Sequence, residues 1–484
     1  MAHLGAGGIL GKLISLGTTL ILARILSPDD YGVMALAMIV IGFVGFFNEV
    51  GIGSAIVQKT ELTISEVNGC FIIAVCLGFF LSVLTIFSSY LAALFFETPK
   101  LQAMIATLSA AFVLGSLNTI PMAFLRRNMQ FKGVAVLNIL EVITVSVVSL
   151  SLALAGWGVW SMVWGFLASN LTKTIGVYLL SSWRFNRNYN VREAMSLLSY
   201  GLHITVSRVF WYIYNNVDKV IIGKILNVRS VGVYDMAMSL ATLPSSQITS
   251  IVTNVASPLF SKLQNDLPQI SLMILKLTRG IAYITYPLLV GMLVCSHELV
   301  VVILGDKWLD MLVPFGALCL VGLLRSVDPL LSQVLISTGH AKKLSAYTAM
   351  CGVVMAVAVL MGGLWDGLRG VSFVWICVYP LLTLKLLSDV CKITGLSMLA
   401  YYKNLGPVFL TSLVMGIVVI GVREMAMLFT AFAPLLLGIE ILSGVLAYVG
   451  WMIFMNRQSV GEIYQVLLDV GVPAQRLNFW PFVR

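Results

Sequence analysis

The sequence predicts an all-α polytopic membrane protein built from two parallel six-helix repeats, followed by two additional helices. Three observations predict this class. Of the 484 residues, 59% are hydrophobic and only 11% are charged, whereas about a quarter of the residues of an ordinary soluble domain are charged. The mean hydropathy of the whole chain is +0.97. Long apolar segments recur from end to end, and one segment near the N-terminus returns in similar form 200 residues later.

Apolar segments long enough to cross a bilayer follow one another along the chain. A transmembrane helix needs roughly 20 predominantly apolar residues, and Pro, Gly, Asn and charged residues mark the turns between such helices. This pattern predicts fourteen spans, at residues 6–24, 31–57, 67–96, 101–125, 133–155, 157–181, 204–226, 231–257, 277–304, 309–338, 344–364, 368–390, 405–422 and 432–455. Because the spans occupy most of the chain, no soluble domain of any size is expected.

The distribution of basic residues predicts the orientation of the spans. Eighteen Lys and Arg residues lie in or beside the loops after even-numbered spans and in the C-terminal tail, whereas seven lie in or beside the loops after odd-numbered spans. Cytoplasmic loops carry an excess of Lys and Arg. We therefore expect the even-numbered loops and both termini to lie in the cytoplasm.

The repeat is visible in two similar segments, LARILSPDDYGVMALAM at 22–38 and IGKILNVRSVGVYDMAM at 222–238. Pro28 is predicted to end the first helix, and Asp29 and Asp30 to cap the second. The copy predicts the same turn between spans 7 and 8. Six spans separate the copies, so both repeats enter the membrane from the same side, as in transporters built from two parallel repeats.

The repeat also predicts the domain organisation. The first six-helix lobe is expected at 1–192 and the second at 193–395. Two further membrane helices are expected at 396–456. The remaining residues, 457–484, carry apolar side chains at helical spacing among polar ones, which predicts an amphipathic cytoplasmic tail.

Composition argues against several other classes of protein. The formal net charge is +9, but the basic residues stand singly between apolar runs, so no nucleic-acid partner is expected. The seven cysteines include no CxxC pair, and they are interpreted as small core residues. The segment GAGGILGKL at 5–13 lacks the spacing and the Ser or Thr of a phosphate-binding loop. No cofactor and no metal are expected.

Several segments resemble one known family. LARILSPDDYGVMALAMIV and NEVGIGSAIVQK resemble the first two helices of Wzx-type polysaccharide flippases, which belong to the multidrug/oligosaccharidyl-lipid/polysaccharide exporter superfamily. VASPLFSKLQND and ILGDKWLDMLVPFGALCLVGLLRSV add to the similarity, which is greatest to the branch containing the colanic acid exporter. The first segment departs from the family pattern because it begins abruptly at the helix, without a short basic lead.

The resemblance implies a transporter and not an enzyme, with two six-helix lobes around a central cavity. It implies that an undecaprenyl-diphosphate-linked oligosaccharide repeat unit moves from the cytoplasmic to the periplasmic leaflet of a bacterial inner membrane, for exopolysaccharide, capsule or O-antigen synthesis. Expected partners are this lipid-linked oligosaccharide, the bilayer, and polymerase and chain-length components of the same pathway. The alternatives are a small-molecule drug exporter or peptidoglycan precursor flippase of the same superfamily and, more remotely, a membrane polysaccharide polymerase.

Charged residues inside predicted spans are the candidate site residues. A charge within a bilayer costs roughly 2.5–3.5 kcal/mol on insertion scales unless it faces a polar interior. Span 7 carries a polar stripe at helical spacing, and spans 1 and 10 carry weaker ones. The predicted substrate-binding residues are Lys12, Arg208, Arg325 and Asn215, with Asp218 and Asp328 as positioning residues. Arginine pairs with phosphate oxygens in bidentate fashion. The alternative is that these charges form buried ion pairs that only fix helix register.

Two further carboxylates lie within spans, Glu49 and Glu141. An isolated carboxylate in a membrane often marks a proton or ion relay, so both are candidates for coupling or positioning. Pairing with Lys12 would make either one purely structural, and the sequence does not separate these two interpretations.

Overall fold

The computed structural model describes residues 2–49, 51–59, 61–430 and 432–455. Side chains are described for these residues except 2–10, 49, 54, 58, 192–193, 196–210, 254–255 and 453–455. The predicted amphipathic tail at 457–484 therefore lies outside the described residues.

The described part of the chain is all-α, as the sequence predicts. Its helices are α1 (Ala2–Ile25), α2 (Pro28–Glu49), α3 (Ile52–Gln58), α4 (Ile64–Phe95), α5 (Pro99–Leu108), α6 (Ala110–Arg127), α7 (Phe131–Leu154), α8 (Trp160–Leu180), α9 (Val191–Ile225), α10 (Val228–Lys262), α11 (Leu267–Val294), α12 (Ser296–Ile303), a 3-10 helix (Asp306–Met311), α13 (Leu312–Arg325), α14 (Asp328–Ser337), α15 (Ala341–Thr394), α16 (Met398–Met427) and α17 (Ala433–Met455). Within the described residues, nine segments are long and apolar enough to cross a membrane by length and composition. The count of fourteen spans stays a prediction.

Four predicted spans contain a break between helices. Of these, Pro99–Arg127 and Asp306–Ser337 each remain one segment that is long and apolar enough to cross a membrane. The interrupted spans are 31–57, 101–125, 277–304 and 309–338. Gly51 has a left-handed backbone (φ 67°) between α2 and α3, a conformation that glycine adopts at no steric cost. In the last of the four spans, a proline in the first turn of α14 cannot donate a backbone hydrogen bond, so α13 does not continue into α14.

The helix α15 contains two predicted spans joined by a sharp turn. Asp366 and Gly367 leave the helical conformation, and Gly367 has φ 55°. Beside the turn, a Cβ atom added to Gly370 would overlap the carbonyl oxygen of Gly362. Two small residues therefore allow the halves of α15 to pack backbone to backbone, and the turn lies between the predicted spans 344–364 and 368–390.

The chain divides into two compact units, of which the first is Met1–Asp235. In this unit α7 packs between α1 and α8, and α6 packs against α4 and α8. The helix α9 contacts α2, α3 and α4. A guanidinium nitrogen of Arg127 donates hydrogen bonds to the carbonyl oxygens of Ile56 (2.6 Å) and Lys59 (2.5 Å), which fixes the end of α3 against α6.

The second unit is Met236–Arg484. Its largest hydrophobic core is built mainly by α11, α14, α16 and the second half of α15. The helix α16 packs against both α11 and α17, and α13 packs against α15. The two units are defined by which residues pack together, whereas the predicted lobes at 1–192 and 193–395 are defined by the sequence repeat. The predicted domain boundaries therefore stay a prediction.

Candidate functional site

The two copies of the repeated turn have similar helix caps. The carboxylate of Asp30 accepts hydrogen bonds from the backbone N–H (3.0 Å) and the hydroxyl (2.8 Å) of Ser27, and the N–H of Asp30 lies 3.2 Å from the Ser27 hydroxyl oxygen. In the copy, the N–H of Ser230 donates to the side-chain oxygen of Asn227 at 2.7 Å. The sequence predicts two capping aspartates, but Ser27 and Asp30 form the cap and Asp29 makes a different contact.

The paired turns, which we define as residues 27–32 and 227–232, contact each other through equivalent positions. Asp29 lies 3.9 Å from the guanidinium of Arg229. A Cβ atom on Gly32 would overlap the carbonyl oxygen of Val228, and a Cβ atom on Gly232 would overlap that of Pro28. These contacts are reciprocal, as two-fold symmetry requires of equivalent residues. The first turns of α2 and α10 therefore cross in backbone contact, and only glycine fits at the crossing.

Beyond the paired turns, α9 and α10 are joined by polar side chains. The buried carboxylate of Asp218 accepts a hydrogen bond from the hydroxyl of Tyr234 at 2.6 Å. The next residue, Lys219, forms an ion pair with Asp235 at 2.6 Å. The side-chain amide of Asn215 donates to the carbonyl of Trp211 at 2.7 Å, one turn back along the same helix.

A cluster of polar and aromatic side chains in the second unit lies where α13 ends and α14 begins. We call it the Arg325 cluster, and it consists of Arg325, Asp328, Trp375, Tyr379 and Thr383. The guanidinium carbon of Arg325 lies 5.4 Å from the ring centre of Trp375 and 5.9 Å from that of Tyr379. One oxygen of Asp328 accepts hydrogen bonds from the hydroxyls of Tyr379 (2.7 Å) and Thr383 (3.2 Å).

Hydroxyl groups from neighbouring helices satisfy the backbone at this interruption. The hydroxyl of Thr249 on α10 donates to the carbonyl oxygen of Ser326 at 2.7 Å, and that of Thr285 on α11 lies 3.2 Å from the Ser326 hydroxyl. Interrupted helices are tolerated in membranes where they are buried in protein or line a polar space. In transporters, such interruptions border substrate and ion sites.

The other oxygen of Asp328 is buried and has no hydrogen-bond partner in the described part of the chain. A buried, unpartnered carboxylate oxygen costs free energy unless it gains a proton, a cation or a donor. The Arg325 cluster thus combines a cation, an incompletely satisfied carboxylate and two aromatic faces, which suits the binding of a polar ligand.

The remaining candidate residues are dispersed. Lys12 is exposed on α1, whereas the side chains of Arg208 and Glu49 lie outside the described residues. Glu141 on α7 forms an ion pair with Lys173 on α8 at 3.0 Å, so it links two helices of the first unit. The common cavity predicted for Lys12, Arg208 and Arg325 involves both units and stays a prediction.

Sequence reasoning missed three members of the Arg325 cluster. Trp375, Tyr379 and Thr383 stand at steps of four residues on the second half of α15, so they lie on one helical face. That stripe is readable in the sequence. Aromatic residues in a span are equally typical of helix packing, so the stripe alone does not indicate a site.

The first unit also carries a large lateral groove between α4, α5, α6, α7 and α8, with a volume of about 960 Å³. Its lining is almost entirely apolar and includes Trp157 and Trp164. The groove lies beside Ser109, where the predicted fourth span is divided into α5 and α6 and where the Ser82 hydroxyl donates to the Ser109 hydroxyl at 3.1 Å. Such a lining suits a hydrocarbon chain and not a charged ligand.

Comparisons with known proteins agree on one family. The profile of the family described as "Polysaccharide biosynthesis protein" matches residues 21–313. The lipopolysaccharide biosynthesis protein WzxC of Escherichia coli (strain K12) is 25% identical over 364 residues, which cover 74% of this chain and 73% of that protein. The succinoglycan biosynthesis transport protein ExoT of Rhizobium meliloti (strain 1021) is 24% identical over 369 residues, covering 76% and 74%.

Among solved structures, the lipid II flippase MurJ in an inward closed conformation superposes with a TM-score of 0.78 at 17% identity. The superposition covers 95% of this chain and all of that one (100%). At this identity the likeness establishes the fold alone. The chain therefore has the same fold as that structure.

Proposed function

Because the chain belongs to the polysaccharide biosynthesis protein family, we propose that it is a flippase that moves undecaprenyl-diphosphate-linked oligosaccharide repeat units from the cytoplasmic to the periplasmic leaflet. The units would serve the synthesis of exopolysaccharide, capsule or O-antigen. The protein is a multi-pass membrane protein, and we place it in the bacterial inner membrane. Polymerase and chain-length components of the same pathway would take up the units after transport.

The Arg325 cluster is the observation that supports this proposal most. A flipped substrate carries a diphosphate, which needs cations that replace its water, and sugars, which present apolar faces and hydroxyl groups. Arg325 supplies a planar cation, and the rings of Trp375 and Tyr379 lie against it.

The other candidate residues keep their proposed roles. We propose further substrate contacts at Lys12, Arg208 and Asn215, and positioning roles for Asp218 and Asp328. Coupling or positioning is proposed for Glu49 and Glu141.

The paired turns support alternating access, which a flippase requires. A site open to both sides at once would leak, so one face must close while the other opens. The glycine-mediated crossing of α2 and α10 closes backbone against backbone, and the Asp29–Arg229 pair spans the same crossing. We propose that this crossing closes the periplasmic face while substrate enters from the cytoplasm.

The lateral groove supports a lipid-linked substrate. Its apolar lining suits the polyprenyl tail, which is more stable in an apolar environment than in water while the headgroup crosses. A drug exporter moves small molecules without such a tail and does not require a groove of this kind. The names of the relatives WzxC and ExoT point to lipopolysaccharide and succinoglycan biosynthesis, which favours this function over drug export, peptidoglycan precursor transport or polymerisation.

The proposal predicts the sidedness of two exposed loops. In a cysteine-free background, cysteine at position 29 should react with an impermeant maleimide added to intact cells whose outer membrane has been permeabilised. Cysteine at position 343, in the first turn of α15, should react only after the inner membrane is disrupted. Both native side chains are exposed, so a lack of reaction reports sidedness and not burial. The opposite pattern would contradict the orientation and the direction of transport.

Loss of the protein should leave substrate on the cytoplasmic side. In a deletion strain we expect lipid-linked repeat units to accumulate, to resist a periplasmic glycan-cleaving enzyme, and to become sensitive when the protein is restored. Purified protein in vesicles loaded with the lipid-linked unit should transfer it between leaflets. Transfer of a small cationic dye without transfer of the lipid-linked unit would favour the drug exporter instead.

A further inference from the structure

A second group of ionisable side chains lies in the C-terminal helices, at the junction of α12, α16 and α17. Glu298 in the first turn of α12 is 3% exposed, and Glu440 on α17 is 1% exposed. Cys295, at the junction of α11 and α12, belongs to a small hydrophobic core with Val419 and Leu437. The two carboxylates are therefore enclosed by apolar packing.

These carboxylates lack the hydrogen-bond donors that buried charges require. Neither oxygen of Glu440 has a hydrogen-bond partner among the described residues, and the same holds for Oε2 of Glu298. The nearby thiol of Cys295 is only a weak donor. When both buried carboxylates are ionised and have no strong donors, they repel each other, and the desolvation of both charges costs free energy. One positive charge added to the two carboxylates removes this repulsion and therefore stabilises the packing around them.

The neighbouring charged groups are engaged elsewhere only in part, since the buried Nε of Arg423 has no hydrogen-bond partner among the described residues. On α16, the guanidinium of Arg423 donates to the carbonyl oxygen of Val294 at 3.4 Å and lies 3.5 Å from the carboxylate of Glu424. On α12, His297 lies 3.6 Å from the other oxygen of Glu298, and its side chain is 59% exposed. Arg423 therefore lowers the cost of one negative charge on the pair but does not neutralise two, and His297 connects the pair to water.

We propose that Glu298 and Glu440 form a proton-binding site in which the carboxyl O–H of one residue donates to the carboxylate of the other. The proton enters from water by way of His297 and returns by the same route, so the step requires no other reactant. A proton fits the site better than a metal ion, because the described residues contain no group of three His, Cys, Asp or Glu side chains that could hold a metal. The proposal does not depend on the transported substrate.

The site has a consequence for the C-terminal helices. With one proton bound, the pair carries a single negative charge beside Arg423, and α17 packs against α12 without uncompensated repulsion. Loss of the proton leaves two negative charges in the same apolar enclosure. The packing of α17 on α12 is therefore sensitive to pH, independently of the paired turns and of the Arg325 cluster.

Infrared difference spectroscopy on the purified full-length protein tests this proposal. The wild-type protein should show the C=O stretching band of a protonated carboxyl group, shifted by deuterium exchange and lost as the pH is raised. Glu440→Gln should remove one carboxyl equivalent of this band at neutral pH. Glu298→Gln should remove the same band, because the amide N–H of the new glutamine donates to the remaining carboxylate.

The matched control is Glu424→Gln, which changes an exposed carboxylate beside the same Arg423 and should leave the band unchanged. Gel filtration of each variant establishes that it is folded. A band that survives in either Glu440→Gln or Glu298→Gln would overturn the shared proton. An unchanged band in Glu424→Gln together with its loss in both other variants would support the site.

Discussion

Replacement of Arg325 by alanine is expected to abolish export of the lipid-linked repeat unit. Arg325 is the cation of the Arg325 cluster, and its guanidinium lies against the rings of Trp375 and Tyr379. Arg325 is half-buried, and a hydrogen bond from its cation to a phosphate oxygen contributes about 1.5–3 kcal/mol. At about 1.4 kcal/mol for each factor of ten, transport should fall at least about tenfold. The measurement is restoration of surface polysaccharide in a deletion strain, together with leaflet transfer in vesicles.

Arg325→Lys should restore transport only in part, because lysine keeps the charge but loses the planar fork that stacks on aromatic rings and binds phosphate in bidentate fashion. The matched control is Lys385→Ala. Lys385 lies on the same half of α15 as Tyr379, but it is exposed and pairs with Asp389 one turn along the helix. Normal export by a correctly inserted Arg325→Ala protein would contradict the site. An Arg325→Ala protein that fails to accumulate would favour the interpretation that these charges only fix helix register.

Replacement of Gly32 or Gly232 by alanine is expected to trap the protein with its paired turns apart. At each position the added Cβ atom would overlap a backbone carbonyl oxygen, and a helix backbone cannot move aside as a side chain can. Overpacking costs about 1–3 kcal/mol, which shifts a two-state equilibrium by about 5- to 150-fold. Export should fall accordingly. Cysteine at position 29 should react faster with an impermeant maleimide in the Gly32→Ala background.

Gly17→Ala provides the control for a glycine in a membrane helix. Gly17 lies on α1, and a Cβ atom added there meets nothing within 4 Å, so transport and labelling should remain at wild-type levels. Because the paired turns make reciprocal contacts, Gly32→Ala and Gly232→Ala should have effects of the same size. Unchanged labelling in both variants would show that the crossing does not open during transport.

The fold class could be predicted from the sequence, because each membrane helix appears there as a long apolar run. The turn at Asp366 and Gly367 was also predictable, since a polar residue followed by glycine interrupts two such runs. The division of the tenth span into α13 and α14 was missed. Arg325, Ser326, Asp328 and Pro329 already interrupt the apolar run in the sequence, but these polar residues were interpreted as one face of a continuous helix. In the structure the backbone N–H groups of Val327 and Leu330 bond three residues back, to Leu324 and Val327.

Part of the candidate site could be predicted from the sequence. Charged residues inside spans stand out in a sequence with so few charges, so Arg325 and Asp328 were identified. Their partners were not, because Tyr379 and Thr383 lie more than fifty positions further along the chain. A hydrogen bond across that separation depends on how α14 packs against α15, and periodicity on one helix carries no information about the neighbouring helix.

The sequence by itself determined the membrane class, the repeat and the equivalence of positions near 29 and 229, because apolar runs and similar segments are local properties of the chain. Tertiary structure alone decided that these equivalent positions touch. Gly32 and Gly232 each appear in the sequence as one glycine among 41, and their role arises only because α2 and α10 cross where no Cβ atom fits. Likewise, Glu298 and Glu440 are two isolated acids until packing brings α12 and α17 together and excludes water from both. Burial, unlike composition, depends on which distant segments a residue meets.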